Sequence, residues 1–184
     1  MIPILRRKQY MDKLYKLKDT DDVKIITGAR RSGKTHLIKL YANELKEKGV
    51  SPENIIYISF ESNKYKKIKT DTQLDELVYN LTNNVTGKLY LFFDEIHKVS
   101  NWEESINGYR VDLDADIYVT GSYGQMLNGI NSTVLSGRYI RVKIYPFSFI
   151  HTAVPNSSEI LHRQLPFTFS MLSIFDLINF ISEL

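Results

Sequence analysis

Cysteine is absent from the 184 residues, and with it go disulfides, thiolate zinc sites and thiol nucleophiles, a composition suited to a reducing compartment. The start M-I-P-I-L-R-R-K offers only a stub of apolar residues before its charges, so no secretory leader is legible and the cytoplasm is the expected location. Lysine is missing from residue 144 onward, where Arg163 alone faces Glu159, Asp176 and Glu183, so the net charge of +3 is carried by the residues before it. Long apolar runs are scarce. The C-terminal L-P-F-T-F-S-M-L-S-I-F-D-L-I-N-F-I-S-E-L has the length of a membrane span, but Pro166, Asp176, Asn179 and Glu183 argue against one. A docked or partner-binding helix is expected there instead.

What is present is the composition of a folded domain, 43% hydrophobic, 24% charged and 12% aromatic. A chain of this size buries one good core but is tight for two, so the expected organisation is a core over 1–150 and a separate tail over 151–184. The opening R-R-K-Q-Y-M-D-K-L-Y-K-L-K reads as a helix with Tyr10, Leu14 and Leu17 turned to the core; its positive charge is also of the kind that touches nucleic acid or a membrane surface.

Beyond it, strands and helices alternate. Strands are expected at 23–27, 54–60, 88–93, 115–120 and 138–145. The segment 33–48 has helical spacing at Leu37, Tyr41 and Leu45 and closes at Gly49. Thr70 with Gln73, and Ser100 with Glu103, offer capping boxes for two further helices, and 122–128 reads as a short helix or turn. Strands separated by helices imply crossover connections, hence an α/β fold with a mainly parallel sheet covered on both faces.

Residues 28–35 read G-A-R-R-S-G-K-T, between an apolar strand and a helix. This is the P-loop pattern, in which each position has a task. Gly28 and Gly33 let the backbone turn tightly enough for successive N–H groups to face phosphates. Lys34 reaches the β and γ phosphates, the Thr35 hydroxyl ligates magnesium, and the helix start adds its positive end. Ala29, Arg30, Arg31 and Ser32 complete the loop; the two arginines either contact phosphate or a neighbouring subunit, or are exposed without a dedicated role.

The buried strand L-Y-L-F-F ends in Asp94-Glu95. In a parallel sheet this end opens on the same edge as the phosphate loop, which suits Asp94 to hold magnesium and Glu95 to polarise an attacking water as general base. Other phosphate-handling classes fit less well. D-E-I-H matches a helicase string, but helicases need a second such domain; GTPases want Asn-Lys-x-Asp, and N-K-Y-K at 63–66 lacks the acid. His97 reads as a surface or packing residue. The strand A-D-I-Y-V-T-G-S delivers Thr120 and Ser122 to the same edge, either to sense the γ-phosphate or as a plain strand exit.

Taken in order, R-R-K-Q-Y-M-D-K-L, I-I-T-G-A-R-R-S-G-K-T, L-F-F-D-E-I-H-K-V-S-N-W-E, I-Y-V-T-G-S, L-S-G-R-Y and I-Y-P-F-S-F resemble a prokaryotic AAA-type ATPase family, over residues 4 to about 150. The resemblance implies a three-layer P-loop NTPase core, AAA-like, with a five-stranded sheet in the order 5-1-4-3-2, magnesium-dependent hydrolysis of ATP, and self-association. It makes Thr120 or Ser122 the sensor. It also makes Arg138 in L-S-G-R-Y the candidate arginine finger, reaching a neighbour's nucleotide, against the plainer reading of a surface arginine starting a strand. Two features depart from the family: Tyr123 stands where Asn commonly follows Thr-Gly-Ser, and the similarity stops after P-F-S-F, before the helical lid and C-terminal domain. The expectation is therefore an ATPase, with a nucleotide-binding module of little or no turnover as the alternative and a truncated, frame-shifted or naturally short core as its origin.

Overall fold

The computed structural model describes residues 7–122, 124–126 and 134–146. They form helix α1 (Lys8–Lys16), strand β1 (Val23–Gly28), α2 (Lys34–Glu47), β2 (Ile55–Ser59), α3 (Asp71–Thr82), β3 (Leu89–Asp94), α4 (Trp102–Asp112), β4 (Ala115–Ser122) and β5 (Tyr139–Ile144). The strands make one sheet in the order β2-β3-β4-β1-β5, the expected order read from its other edge. Every pairing is parallel, so all five strand ends open on one edge.

Alternate strand residues feed two cores. On one face Ile25, Ile58, Leu91, Phe93 and Val119 pack with Leu74 and Val78 of α3 and Trp102, Ile106 and Tyr109 of α4. On the other, Ile26, Phe92, Tyr118 and Val142 meet Tyr10, Met11 and Leu14 of α1 and Leu37, Ile38, Tyr41 and Leu45 of α2. The result is three layers, helices on both sides of the sheet. β1 and β3 are buried at every position, which explains why both are apolar runs rather than alternating ones. The apolar stripe of α1 faces the core as its spacing predicts, with Leu17 packed partly buried beside it.

Turn chemistry sets the helix ends. α2 stops before Gly49 at φ +95, where Val50 N–H bonds back to the Leu45 carbonyl, a left-handed cap that glycine allows. Thr70 caps α3, its hydroxyl accepting from Gln73 N–H at 3.4 Å while the Gln73 amide oxygen reaches back to Lys69 N–H at 2.8 Å. The capping box expected at Ser100 and Glu103 does not form. Asn101 at φ 54 and ψ 28 precedes α4, without a side-chain cap bond, because Ser100 is drawn away: its N–H donates to the Lys69 carbonyl at 2.8 Å and it bridges to Thr70. Of the segment expected at 122–128, residue 122 ends β4 and 124–126 are helical. Tyr123, 127–133 and the tail from 151 on lie outside the described residues. Among the described residues no helix is long and apolar enough to cross a membrane.

Candidate functional site

The shared strand edge gathers the sequence's chemistry into one cleft of about 770 Å³. β1 ends in the loop Gly28–Gly33, which hands directly into α2. A Cβ on Gly28 would lie 2.4 Å from the Ile144 carbonyl oxygen and 2.7 Å from Ser32 Oγ, so only glycine lets the loop leave the sheet here. Gly33 stands at φ +93, and Ser32 N–H donates to the Ala29 carbonyl at 3.1 Å. Arg31 takes φ 65 without being glycine, at a cost of roughly 1–2 kcal/mol; it and Arg30 are exposed and line the cleft. Lys34 lies across the loop, its Nζ donating to the carbonyls of Gly28 at 3.3 Å and Ala29 at 3.1 Å. Ser32 Oγ is buried without a hydrogen-bond partner. A tightly turned loop with an amine laid across it and an orphaned hydroxyl beneath fits a polyphosphate.

Asp94 is the hub beside that loop. Register sets Ser59 of β2 opposite it and Thr120 of β4 on its other side, one residue beyond the Phe93–Val119 pair. Its Oδ1 accepts from Thr35 Oγ1 at 2.8 Å and Thr120 Oγ1 at 2.7 Å, and its Oδ2 from Ser59 Oγ at 3.1 Å. The carboxylate is 1% exposed. This oxygen-only set suits a hard cation such as magnesium. Among the described residues no group of three or more His, Cys, Asp and Glu side chains gathers, so the fit is to an ion that keeps water and phosphate ligands, not to an all-protein cage.

Glu95 follows at φ 57, which swings its side chain into the cleft. Burial above all, with Asp94 and Glu61 adding, pushes its carboxyl above the usual range against the opposing Lys34 and Lys98. Thr120 does not line the cleft: it is buried behind Asp94, its Oγ1 also accepting from Glu95 N–H at 3.1 Å. Ser122 does line it, donating to Gln125 Oε1 at 2.5 Å. Arg138 is elsewhere. It precedes β5 at the opposite edge of the sheet, its Nη1 donating to Asn107 Oδ1 at 3.1 Å and the Val134 carbonyl at 3.2 Å.

Sequence reasoning gives no site role to three further participants. Arg7 donates to the Ser32 carbonyl at 2.9 Å and the Tyr145 carbonyl at 2.5 Å, tying the start of α1 to the phosphate loop. Glu61, on the chain leaving β2, pairs with Lys98 at 3.0 Å across the cleft. His97 lies 3.3 Å from Glu95.

This layout has relatives. The chain is similar to an uncharacterised protein of Haemophilus influenzae, 40% identical over 146 residues, which cover 79% of this chain and 36% of that protein. It is also similar to an uncharacterised protein of Methanocaldococcus jannaschii, 32% identical over 127 residues, or 69% of this chain and 27% of that one; it thus spans about a third or less of either. In fold it is similar to a DNA polymerase III gamma subunit-related protein of Thermotoga maritima, with TM-score 0.53 and 9% identity over 73% of this chain and 45% of the other. Hsp104 in a closed state with ATPγS and casein gives TM-score 0.55 and 12% identity over 79% and 28%. The AAA domain family itself matches residues 20–152, a span that holds the phosphate loop, Asp94-Glu95 and all five strands. The chain belongs to that family, and its core is a nucleotide-binding, ATPase-like one.

Proposed function

We propose that this chain binds ATP at Gly28–Thr35 and hydrolyses it to ADP and phosphate. The observation that carries the reading is the convergence on Asp94, where the hydroxyl of the phosphate-loop residue Thr35 and the hydroxyl of Thr120 meet one carboxylate oxygen, with the next residue, Glu95, lining the cleft that Thr35 also lines. A loop that only gripped phosphate would have no use for a carboxylate held this way.

The loop's backbone and Lys34 take the phosphates. Lys34 then exchanges the carbonyls of Gly28 and Ala29 for phosphate oxygens, a stronger charge-assisted partnership. Thr35 and Asp94 would hold magnesium, which supplies charge neutralisation on the phosphates. Glu95 accepts the proton of the attacking water, and a carboxyl raised by burial is a better base for that task than a solvated one. Ser122, with Gln125, faces the terminal phosphate as its sensor, while Thr120 holds Asp94 and the Glu95 backbone in place. Arg138 acts on a neighbouring copy's nucleotide, since within its own chain it stands at the far edge of the sheet.

Two variants test the assignment. Lys34→Ala loses ATP affinity, read by equilibrium binding. Glu95→Gln binds ATP as tightly as wild type but releases phosphate slower by roughly 10²–10⁴-fold, the usual scale of general-base removal. Equal phosphate release from wild type and Glu95→Gln would remove Glu95 as the base. Tight ATP binding with no phosphate release by wild type, at any protein concentration, would leave the nucleotide-binding module as the function.

A further inference from the structure

His97 occupies a seat that the surrounding chain is built to provide. Glu95 at φ 57 turns the backbone left-handed and starts a short 3-10 turn, Ile96–Lys98, which returns the side chain of residue 97 alongside that of residue 95. The His97 Nδ1 lies 3.3 Å from Glu95 Oε2, with the imidazole 10% and the carboxylate 18% exposed. That Nδ1 is buried and makes no hydrogen bond, so it stands as an orphaned polar atom facing the Glu95 carboxylate. Beneath it is Gly121 of β4, where a Cβ would come within 3.0 Å of Nδ1 and 2.5 Å of Met126 Cγ and Sδ. The glycine of T-G-S thus makes room for a polar ring pressed against the side chain of Glu95.

We propose that His97 is a positioning residue for Glu95: a small side-chain rotation brings its orphaned Nδ1–H onto Oε2, 3.3 Å away, and so leaves Oε1 as the oxygen that meets the attacking water. The proposal rests on the reading of Glu95 as general base. Left alone, a carboxylate on a short flexible stem samples several rotamers in an open cleft, and only some of them reach the water. A donor on one oxygen removes that freedom before the nucleotide arrives. Burial, with Lys98 and Lys34 adding to it, favours the neutral imidazole, which still has one N–H to give. Lys98 is not a substitute, since its ammonium is engaged by Glu61 at 3.0 Å.

The test uses the full chain with three variants and two readouts. His97→Ala lowers kcat about ten- to a hundredfold, the scale of a misplaced catalytic group, while KM and ATP affinity stay within about twofold. His97→Gln, which restores a neutral donor, recovers most of the loss. Independently of turnover, nitrogen NMR of histidine-labelled protein, with His97→Gln assigning the resonance, finds the Nδ1-protonated tautomer at residue 97, and Glu95→Gln moves that resonance. Wild-type kcat in His97→Ala, while Glu95→Gln is inactive, would overturn the positioning role alone; full turnover in Glu95→Gln would instead overturn the reading beneath it. Equal loss in His97→Ala and His97→Gln, or an Nε2-protonated tautomer, would reduce His97 to packing.

Discussion

A buried imidazole beside two lysines has a consequence for stability that is separate from catalysis. Burial first, then Lys98 and to a lesser degree Lys34, hold His97 below its ordinary value against the opposing pull of Glu61. Its folded value lies below the unfolded one, so its contribution is fully present above about pH 6.5 and is lost as the pH falls through the folded value. Glu95, raised by burial, works with the opposite sign on acidification, and it stays in place when only His97 is changed. Between about pH 7 and about pH 5 the melting temperature of wild type therefore falls further than that of His97→Gln. Parallel melting curves for the two proteins would mean the imidazole is solvated. None of this is legible in D-E-I-H, where a lone histidine carries no signal. The seat depends on the sign of one φ angle and on a glycine from a strand not adjacent in sequence, whereas Gly28, Lys34 and Thr35 announce themselves because every position of that motif has a local task.

Elements were legible where burial is complete and hidden where a polar residue is buried with them. V-K-I-I-T reads as a strand, but nothing in the pattern says where its lysine goes. In the folded chain Lys24 is fully buried, because a parallel sheet is covered on both faces. Its Nζ donates to Asp116 Oδ1 and to the Thr20 carbonyl, each at 2.6 Å. Asp116 Oδ2 in turn accepts from Asp19 N–H and from the Tyr118 hydroxyl, each at 2.8 Å. The Tyr118 hydroxyl lies 3.1 Å from that of Tyr41, which donates to the Leu14 carbonyl at 3.4 Å. One network thereby pins the end of α1 and the connection into β1, and α1 begins beside Arg7, which holds the phosphate loop. The partners are 92 residues apart, and pairing at that distance follows from strand register, which no local pattern encodes. Lys24→Met strands the Asp116 carboxylate in the core and costs about 3–5 kcal/mol, read as a lowered urea midpoint at unchanged slope. Lys88→Met, which removes the looser contacts to Asp19 at 4.0 Å and Asp114 at 3.7 Å, costs under about 1 kcal/mol. Comparable losses from the two would mean that the buried network is not what secures α1.

At the scale of the whole molecule, the distance between Arg138 and the cleft sets what an assembly must look like. β1 and β5 run side by side from Val23 opposite Tyr139 to Gly28 opposite Ile144, about 17 Å at ~3.3 Å per residue. Arg138 precedes the first of those pairs and the phosphate loop follows the last, so no rotamer of Arg138 reaches its own nucleotide. A finger role therefore requires a second copy, with the Arg138 edge of one against the cleft edge of the other, either reciprocally about a two-fold axis or head to tail around a ring. Turnover per protomer then rises with protein concentration in wild type and stays flat in Arg138→Ala, which still binds ATP but loses on the order of 10³-fold in kcat. Because Arg138 also bonds Asn107 and Val134 within its own chain, the loss alone does not separate a finger from a strand-start prop. Mixing does. Arg138→Ala has an intact cleft and no finger, Glu95→Gln has a finger and no base, and only a contact in trans lets the second complete the first. A mixture that turns over ATP faster than either variant alone places Arg138 in its neighbour's site, and one no faster than Arg138→Ala keeps the residue in its own chain, holding the start of β5.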